Sequence, residues 1–316
     1  MEHTYINIMN LNTSVRGYYL LQDAQTRTTK SNKDFLSVNL RDASGTIEGV
    51  QWDLTGVAGP VEAGTVAYVE GTVTEYNGRL QVTLQHIRKA YPCEEETAYS
   101  VEQLVPVAPI NVEATFDWIV AVIDDMEDED YRVLCEQMVY QNEKAFKEIP
   151  AAKSVHHSFR SGLLMHTANM VELAMSVSDM YGVFINRDLL LAGTILHDLG
   201  KVREFKLSPY GLVEDYTTEG TLLGHLQIGA MEIAKMARNV AVPQEKVMLL
   251  QHLILSHHGK PEFGAAVEPR CIEAEILACI DMIDSRAQIY TENIIKLNTG
   301  EFSPKIYSLG KRIYNH

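Results

Sequence analysis

The pair His197-Asp198 combines two side chains that could carry out chemistry, and it directly follows the apolar run LLLAGTIL of residues 189–196. The run predicts a buried helix, and buried imidazole and carboxylate groups need partners or a metal ion, which leucines do not supply. Because consecutive helix positions diverge by about 100°, the two side chains cannot share one partner in the same way. One of them could face one ion while the other bridges to a second. Lys201, at i+4 from His197, returns to the same face of the helix.

Further ligand-type residues recur in segments whose apolar spacing predicts helices, and the spacing leaves room for one helix and a loop between successive members. Imidazole and carboxylate groups without a thiolate suit Mn, Fe, Co, Ni or Zn in a hydrolytic site. The sequence therefore predicts a metal site of this kind. Besides the central pair, its candidate ligands are His166, His225, His257, His258 and Asp281.

The ordered series H…HD…H…HH…D resembles that of the HD-domain metal-dependent phosphohydrolases, and HDLGK followed by HH resembles the variant that binds two metals. The resemblance covers roughly residues 150–290. It implies that Asp198 bridges two divalent ions. The implied ligands are His166, His197, Asp198 and Asp281 for one metal, and His225, His257 and His258 with Asp198 for the other. Family members tend to have two glycines before the leucines of GLLMHT, where this chain has Ser161-Gly162.

Three residues near these ligands could contact a substrate. Lys201 could bind a non-bridging phosphate oxygen as a point charge and take part in catalysis, or it could end a helix at the surface. His157, which precedes the first ligand helix, could face the substrate or lie at the surface. Arg286 lies a little over one helical turn beyond Asp281, where it could bind a phosphate or form an ion pair with Asp284.

The charge of the chain limits the ways in which it can bind a polyanion. The chain has 316 residues, enough for two ordinary domains, and its net charge of −15 argues against indiscriminate nucleic-acid binding. Residues 1–92 carry 8 basic and 9 acidic side chains, whereas the remainder carries 19 and 33. Any contact with a polyanion should therefore be local.

Signals for export or membrane insertion are missing from the sequence. The N-terminus MEHTYINIMN lacks a basic stretch followed by an apolar core, and no apolar run approaches the roughly 20 residues that span a bilayer. The four cysteines are scattered without metal-binding or redox spacing, which is typical of reduced thiols in a cytoplasm. We therefore expect a cytoplasmic protein without a membrane partner.

The N-terminal part of the chain, from about Ser14 to Lys89, alternates with period two and is rich in β-branched and aromatic side chains. Turn signals, among them Asp42–Gly45 and Asn77-Gly78, separate five predicted strands. Five strands in about 75 residues predict a small barrel. The phrase FLSVNLRDASGTIEGVQW resembles the OB-fold family that binds nucleic acid, although the residue pattern alone also permits an SH3-like barrel.

Aromatic and basic side chains of this predicted barrel could bind a nucleic-acid strand. Phe35 and Trp52 fall on adjacent strands and could stack on bases. Arg27, Lys33 and Arg79 would then lie near phosphates. The alternative is that both aromatic side chains belong to the barrel core.

The strand pattern ends where the chain gains acidic residues and prolines. We place a linker at 93–110, after a barrel domain of residues 1–92 and before a helical domain of residues 111–316. Within the helical domain, residues 202–219 contain Pro-Tyr-Gly and predict a hairpin or a loop near the site. The expected fold is multi-domain, with a small all-β OB-fold barrel followed by an all-α HD domain.

An OB-like barrel followed by a two-metal HD domain, at this length, resembles the YhaM family of bacterial 3′–5′ exoribonucleases across nearly the whole chain. The resemblance implies hydrolysis of single-stranded RNA, with single-stranded DNA as a second candidate, to nucleoside monophosphates by a water that two metal ions activate. It favours Mn, with Fe, Co, Ni or Zn as alternatives. Only this resemblance indicates the polarity of cleavage. It leaves the oligomeric state open, and a homo-oligomer is one of the possible states.

Two other functions stay open from the residues themselves. A phosphohydrolase of small nucleotides, including cyclic dinucleotides, would use the same metal ligands but would need no barrel. A non-catalytic nucleic-acid-binding protein is disfavoured because no expected ligand is missing. The barrel ahead of the metal site favours an enzyme that acts on a polymer.

Overall fold

The computed structural model contains a β-barrel followed by a helical domain, and each has its own hydrophobic core. It describes residues 3–29, 31–95, 97–153 and 157–316. Within these ranges, each helix is too short or too polar to span a bilayer. The expected order of a small barrel and a helical domain is confirmed.

The chain divides into two compact units. The first comprises Met1–Val107 with Ser208–Tyr210, and the second comprises Ala108–Leu207 with Gly211–His316. The first unit continues beyond the expected end of the barrel domain because a short helix, α1 (Val101–Leu104), packs on the barrel. The domain and linker bounds given above remain predictions.

The barrel is a five-stranded sheet closed on itself, with a two-residue sixth strand at its side. Neighbouring strands follow the order β3-β2-β1-β5-β6, and a parallel pairing between β3 and β6 closes the barrel. The strands are β1 (Ser14–Thr28), β2 (Asp34–Asp42), β3 (Gly45–Gln51), β4 (Val57–Ala58), β5 (Val66–Tyr76) and β6 (Arg79–Lys89).

Alternating side chains and turn residues explain why these segments form a barrel. Inward positions such as Tyr19 and Leu40 are fully buried in its core. Asn77 and Gly78 both have positive φ, 51° and 74°, which is the geometry that an Asn-Gly hairpin turn requires. The Asp42 carboxylate accepts hydrogen bonds from backbone N–H groups two and three residues later and so holds the β2–β3 turn.

The second unit is built from nine α-helices in its described part, and a single apolar core joins most of them. Helix α6 lies at the centre, packed against α3, α5, α9 and α10. The nine helices are α2 (Val112–Asp124), α3 (Glu129–Gln141), α4 (Glu143–Glu148), α5 (Gly162–Tyr181), α6 (Arg187–Leu196), α7 (Lys201–Glu204), α8 (Thr218–Asn239), α9 (Gln244–Ser256) and α10 (Ile272–Ile294).

Helix α6 positions the site because nearly all of it is inaccessible to solvent. Every residue of Asp188–Leu196 is buried, as expected for a helix that is apolar on all sides. Asn186 caps its N-terminus by accepting a hydrogen bond from the backbone N–H of Leu189 at 3.0 Å. The pair His197-Asp198 therefore projects from the C-terminal end of the central helix.

One small sheet interrupts the helices. After α7, β7 (Phe205–Leu207) pairs antiparallel with β8 (Val213–Tyr216). The segment 202–219 thus contains the hairpin that was one of its two predicted forms. In the described residues, the domain expected to be all-α is helical apart from this sheet and two isolated β-bridges near its C-terminus.

A candidate metal centre in the helical domain

Seven side chains from five helical segments converge in the helical domain. They are the seven ligands that the sequence predicts, and the structure places them in two adjoining groups. The segments are the first half of α5, the C-terminal ends of α6 and α9, and the middle parts of α8 and α10. Their side chains are His166, His197 and Asp198, His225, His257 and His258, and Asp281.

The first group lies where α5, α6 and α10 meet. One donor atom each of His166, His197 and Asp198 lies within 4.8 Å of the others. The Nε2 atoms of the two histidines are 3.2 Å apart, and Oδ1 of Asp281 is 3.4 Å from His166 Nε2. Two imidazoles and two carboxylates at this spacing form a donor set that suits a divalent transition metal.

The second group contains three imidazoles. Donor atoms of His225, His257 and His258 lie within 4.8 Å of one another. The two groups share Asp198, because its Oδ2 is 3.3 Å from His197 Nε2 and its Oδ1 is 3.5 Å from His225 Nε2. A carboxylate with one oxygen towards each group has the position of a bridging ligand.

Backbone carbonyls orient two of the imidazoles. His197 Nδ1 donates to the carbonyl of Thr194 at 2.7 Å, and His257 Nδ1 donates to that of Ile254 at 2.8 Å. Both carbonyls belong to the last turn of a helix, where backbone oxygens have no partner within the helix. These bonds hold Nδ1 of each ring on its carbonyl and turn Nε2 towards the cluster.

Carboxylates orient two further imidazoles. His166 Nδ1 donates to Asp284 Oδ2 at 2.6 Å, and Asn169 donates to the other oxygen of that carboxylate at 2.8 Å. His225 Nδ1 donates to Glu204 Oε1 at 3.1 Å. Carboxylates behind ligating histidines fix the tautomer and raise ligand basicity.

The sequence analysis missed Glu204 and assigned Asp284 only as a potential partner of Arg286. A signal for both existed in the spacing. Asp284 is at i+3 from Asp281, so it lies on the same face of α10. Glu204 is at i+3 from Lys201, the lysine that closes the HDLGK motif.

A break in helix α8 places His225 in the site. Gly224 has φ 74° and ψ 158°, a conformation that interrupts the helix and that a residue with a side chain rarely adopts. The backbone N–H of His225 therefore donates to Glu204 Oε1 at 3.0 Å. One carboxylate oxygen thus holds both the ring and the backbone of the same histidine.

The electrostatics of the site keep Asp198 ionised and His257 neutral, the forms in which they bind a cation, and favour positive charge at His166. Burial, with His197 and His258 close by, holds the pKa of His257 well below its usual value, so this ring is neutral. Burial alone would raise the pKa of Asp198, but Lys201 and His197 hold it well below its usual range. Burial would lower the pKa of His166, yet hydrogen bonds with Asp281 and Asp284 raise this pKa to about 9. The surroundings of His166 therefore favour positive charge.

Unsatisfied polar atoms test whether a metal fits. Three of the buried side-chain atoms that lack a hydrogen-bond partner in the described residues lie in this cluster, namely Asp198 Oδ1, His225 Nε2 and His258 Nδ1. Buried polar atoms without a partner are rare in folded proteins and cost free energy. All three belong to the second group or bridge to it, and coordination of a cation would satisfy them. The residues present fit a two-metal centre.

Models of two known families match the chain. The model described as HD domain matches residues 163–286, and that described as OB-fold nucleic acid binding domain matches residues 22–90. The 3′-5′ exoribonuclease YhaM of Bacillus licheniformis is 38% identical over 301 residues, which cover 94% of this chain and 93% of the relative. The chain belongs to the YhaM 3′-5′ exoribonuclease family.

Other members of the YhaM family are similarly close. The proteins of the same name from Bacillus subtilis and Listeria innocua are 38% and 35% identical over 298 and 303 residues. These matches cover 94% and 95% of this chain, and 93% and 94% of the two relatives. The OB fold of the barrel is confirmed, and the SH3-like alternative is wrong.

The flanking residues of this YhaM-family site lie in different surroundings. Lys201 is buried, and its Nζ donates to Asp198 Oδ2 at 2.5 Å and to the carbonyl of Ala151 at 2.7 Å. His157 has no exposed surface, and its Nε2 donates to Asp284 Oδ2 at 2.7 Å. It therefore lies behind His166 rather than in contact with solvent.

Backbone geometry explains the departure at Ser161-Gly162. Ser161 has φ 62° and ψ 15°, the left-handed region that favours glycine, which agrees with the two glycines expected there. A Cβ on Gly162 would lie 2.1 Å from the carbonyl oxygen of His157. A serine is therefore tolerated at position 161, whereas position 162 has no room for a side chain.

A cavity of about 680 Å³ opens beside the two ligand groups. This volume is within the roughly 300–1,000 Å³ of small-ligand sites. Asp198, His257 and Asp281 line it together with Arg286 from α10. The Arg286 side chain is exposed, and no carboxylate in the described part of the chain lies within 4.0 Å of it. The ion pair with Asp284 that was the alternative for Arg286 is absent there.

In the barrel, the structure brings the predicted aromatic residues together. Trp52 directly follows β3 and does not lie on the strand predicted for it. The rings of Phe35 and Trp52 are nevertheless 4.8 Å apart between centroids, and Trp52 is 42% exposed. Arg27 pairs with Phe35 across β1 and β2, and both Arg27 and Lys33 are exposed. Neither aromatic side chain belongs to the barrel core, and the patch formed by these four residues has the composition of a surface that stacks bases. Arg79 is exposed at the start of β6.

Replacing Asp284 with asparagine tests the role of the carboxylates behind the histidines. The change keeps the size of the side chain but removes the charge that orients His166, so affinity for Mn²⁺ should fall about 10–100-fold. Calorimetric titration of the purified protein with Mn²⁺ measures this. Asp179→Asn, an exposed aspartate on α5, is the control. Equal Mn²⁺ affinity of Asp284→Asn and the parent protein would show that Asp284 does not support the metal centre.

Proposed function

We propose that this chain is a metal-dependent 3′–5′ exoribonuclease that shortens single-stranded RNA to nucleoside monophosphates. The observation that carries the proposal is the position of Asp198, whose two carboxylate oxygens face separate groups of histidines. The printed name of the relatives, 3′-5′ exoribonuclease YhaM, supports the substrate class and the polarity. The cavity beside the ligand groups provides room for a terminal nucleotide.

Two divalent cations are the cofactors that the ligand groups would hold. When bound, such a pair activates a water molecule for in-line attack on phosphorus and offsets the charge that develops on the phosphoryl oxygens. Imidazole and carboxylate ligands suit Mn, which we favour, and also Fe, Co, Ni or Zn. One position would use His166, His197, Asp198 and Asp281, and the other Asp198, His225, His257 and His258.

Lys201 and His157 act on these ligands in different ways. Lys201 holds one oxygen of Asp198 and lines the cavity, so it both orients the shared carboxylate and places positive charge near the phosphoryl oxygens. His157 acts through Asp284 and is a positioning residue for His166. Arg286, exposed in the cavity wall, is the group that would bind a substrate phosphate directly.

The substrate should be single-stranded because the chain cannot neutralise a duplex. Acidic side chains outnumber basic ones by 42 to 27, and broad contact with a duplex needs many cations. A single strand needs fewer of them where aromatic rings stack on its bases, as Phe35 and Trp52 could do. Single-stranded DNA offers the same phosphates and bases and is the second polymer to test.

A hairpin RNA with a 3′ tail, labelled at its 5′ end, tests the proposal. We expect a ladder of products that descends to the stem and then slows, since the site accepts a free single-stranded 3′ end. The same hairpin with a 5′ tail alone should stay intact. Internal fragments at the earliest times, or shortening from the 5′ end, would overturn the proposed polarity. Faster hydrolysis of a cyclic dinucleotide than of the tail would instead favour the small-nucleotide enzyme.

A further inference from the structure

The C-terminal end of this acidic chain is basic. From residue 286 to residue 316 there are two acidic residues, Glu292 and Glu301. The same stretch contains five basic residues, whereas residues 93–316 as a whole have 19 basic and 33 acidic ones. The five are Arg286, Lys296, Lys305, Lys311 and Arg312.

These five cations also differ from most other cations of the helical domain in their partners. In the described ranges, none of the five has a carboxylate within 4.0 Å, and all five are exposed. Elsewhere in the helical domain, cations are mostly paired, as Lys147 is with Glu113 at 2.6 Å and Lys246 with Asp130 at 2.6 Å. Cations that stay unpaired in a protein rich in carboxylates are available to an external anion.

The C-terminal segment reaches the cavity of the metal centre. Ser308 and Leu309 line this cavity together with Asp198 and Arg286. Tyr307, directly before them, is 98% exposed. The unpaired cations of the C-terminal segment thus flank residues of the cavity wall.

Local packing holds two of these cations in place without neutralising them. Phe302 pairs with Tyr314 and Ile306 with Lys311 in antiparallel bridges, so the segment folds back on itself. The Arg312 guanidinium lies over the Phe302 ring at 5.2 Å, and Lys311 Nζ lies 5.7 Å from the centroid of the Tyr290 ring. Contacts with ring faces are attractive for a cation but leave its charge uncompensated.

We propose that residues 302–314 bind the RNA strand at the mouth of the metal cavity. Lys305, Lys311 and Arg312 contact successive phosphates, and Tyr307 stacks on a base. Arg286 continues the basic surface into the cavity. This inference rests on the proposed function, because it assigns the path of the same polymeric substrate. A protein partner with an acidic surface would be the other ligand for such a segment, and the experiment separates the two.

The test compares the full-length protein with Lys305→Gln/Lys311→Gln/Arg312→Gln. We expect KM for a single-stranded 20-mer RNA to rise at least about tenfold at 0.1 M salt while kcat is retained. The increase should be smaller for a dinucleotide, which cannot reach all three cations. The slope of log affinity against log salt should become shallower by about 2, at about 0.7 for each phosphate that the variant no longer neutralises.

The control is Lys144→Gln/Arg238→Gln, which removes two exposed cations of the same domain that also lack a carboxylate partner in the described residues. It should leave KM and the salt slope unchanged. If the triple variant fails to fold, as judged by its thermal transition, Tyr307→Ala decides instead. This ring is almost fully exposed, and its loss should weaken binding of the 20-mer about fivefold or more.

Each outcome bears on one proposal. If the parent protein degrades RNA and the folded triple variant has the same KM and salt slope, the C-terminal segment does not bind RNA, and the inference is overturned. Equal losses for both charge variants would overturn it as well, since the effect would then be one of net charge. Failure of the parent protein to degrade RNA would overturn the proposed function itself.

Discussion

Asp198→Ala should lower the rate of RNA hydrolysis at least about a thousandfold and reduce the metal content at both positions. The reason is its place between the two ligand groups, with Oδ2 3.3 Å from His197 Nε2 and Oδ1 3.5 Å from His225 Nε2. Two bound cations supply several kcal/mol of transition-state stabilisation, and each 1.4 kcal/mol corresponds to a factor of about ten. Elemental analysis of protein prepared with excess Mn²⁺, with single-turnover assays on 5′-labelled RNA, measures both effects.

His225→Ala is the matched comparison for this prediction. His225 belongs to the second group alone, so its loss should empty chiefly that position and leave about one ion per chain. Because Asp198 is the partner of Lys201, a thermal transition must show that each variant is folded. Asp198→Asn, which keeps the side-chain volume, gives a second measurement. A fully active parent protein with a single ion per chain would refute the two-metal centre.

Removal of the aromatic patch on the barrel has the second largest expected effect. Phe35→Ala/Trp52→Ala should weaken binding of a single-stranded 20-mer between about fivefold and 150-fold for each ring that stacks on a base. The rings are adjacent, and Trp52 is 42% exposed, so they can stack on bases without rearrangement of the core. Fluorescence anisotropy of a labelled 20-mer, measured without divalent ions to prevent cleavage, reports the change.

Trp118→Ala provides the control for the loss of an exposed aromatic ring. Trp118 is the second tryptophan of the chain and lies on α2, where it is 38% exposed. We expect this variant to bind the 20-mer as the parent protein does. Unchanged affinity of Phe35→Ala/Trp52→Ala would mean that the barrel contributes no stacking.

The sequence by itself determined the candidate metal ligands and the architecture that carries them. Histidine and aspartate beside apolar helical segments are local features, because a buried polar side chain needs a partner wherever its helix packs. All seven predicted ligands lie together in the structure. The barrel was equally predictable, since alternation with period two and an Asn-Gly turn are properties of neighbouring residues. Its five predicted strands are all present.

Only the tertiary structure decided which groups hydrogen-bond to the candidate ligands and which surface side chains have no partner in the described residues. Asp284 is 118 residues from His166, and Glu204 is 21 from His225, so these bonds depend on how separate helices pack. The same packing buried His157, for which the sequence predicted a position facing the substrate or at the surface, and left Trp52 outside the barrel core. The lack of carboxylate partners for the C-terminal cations, within the described residues, also follows from the arrangement of distant segments. The spacing of residues along the chain determines which side chains share a face of a helix or strand. It does not determine which other element packs against that face.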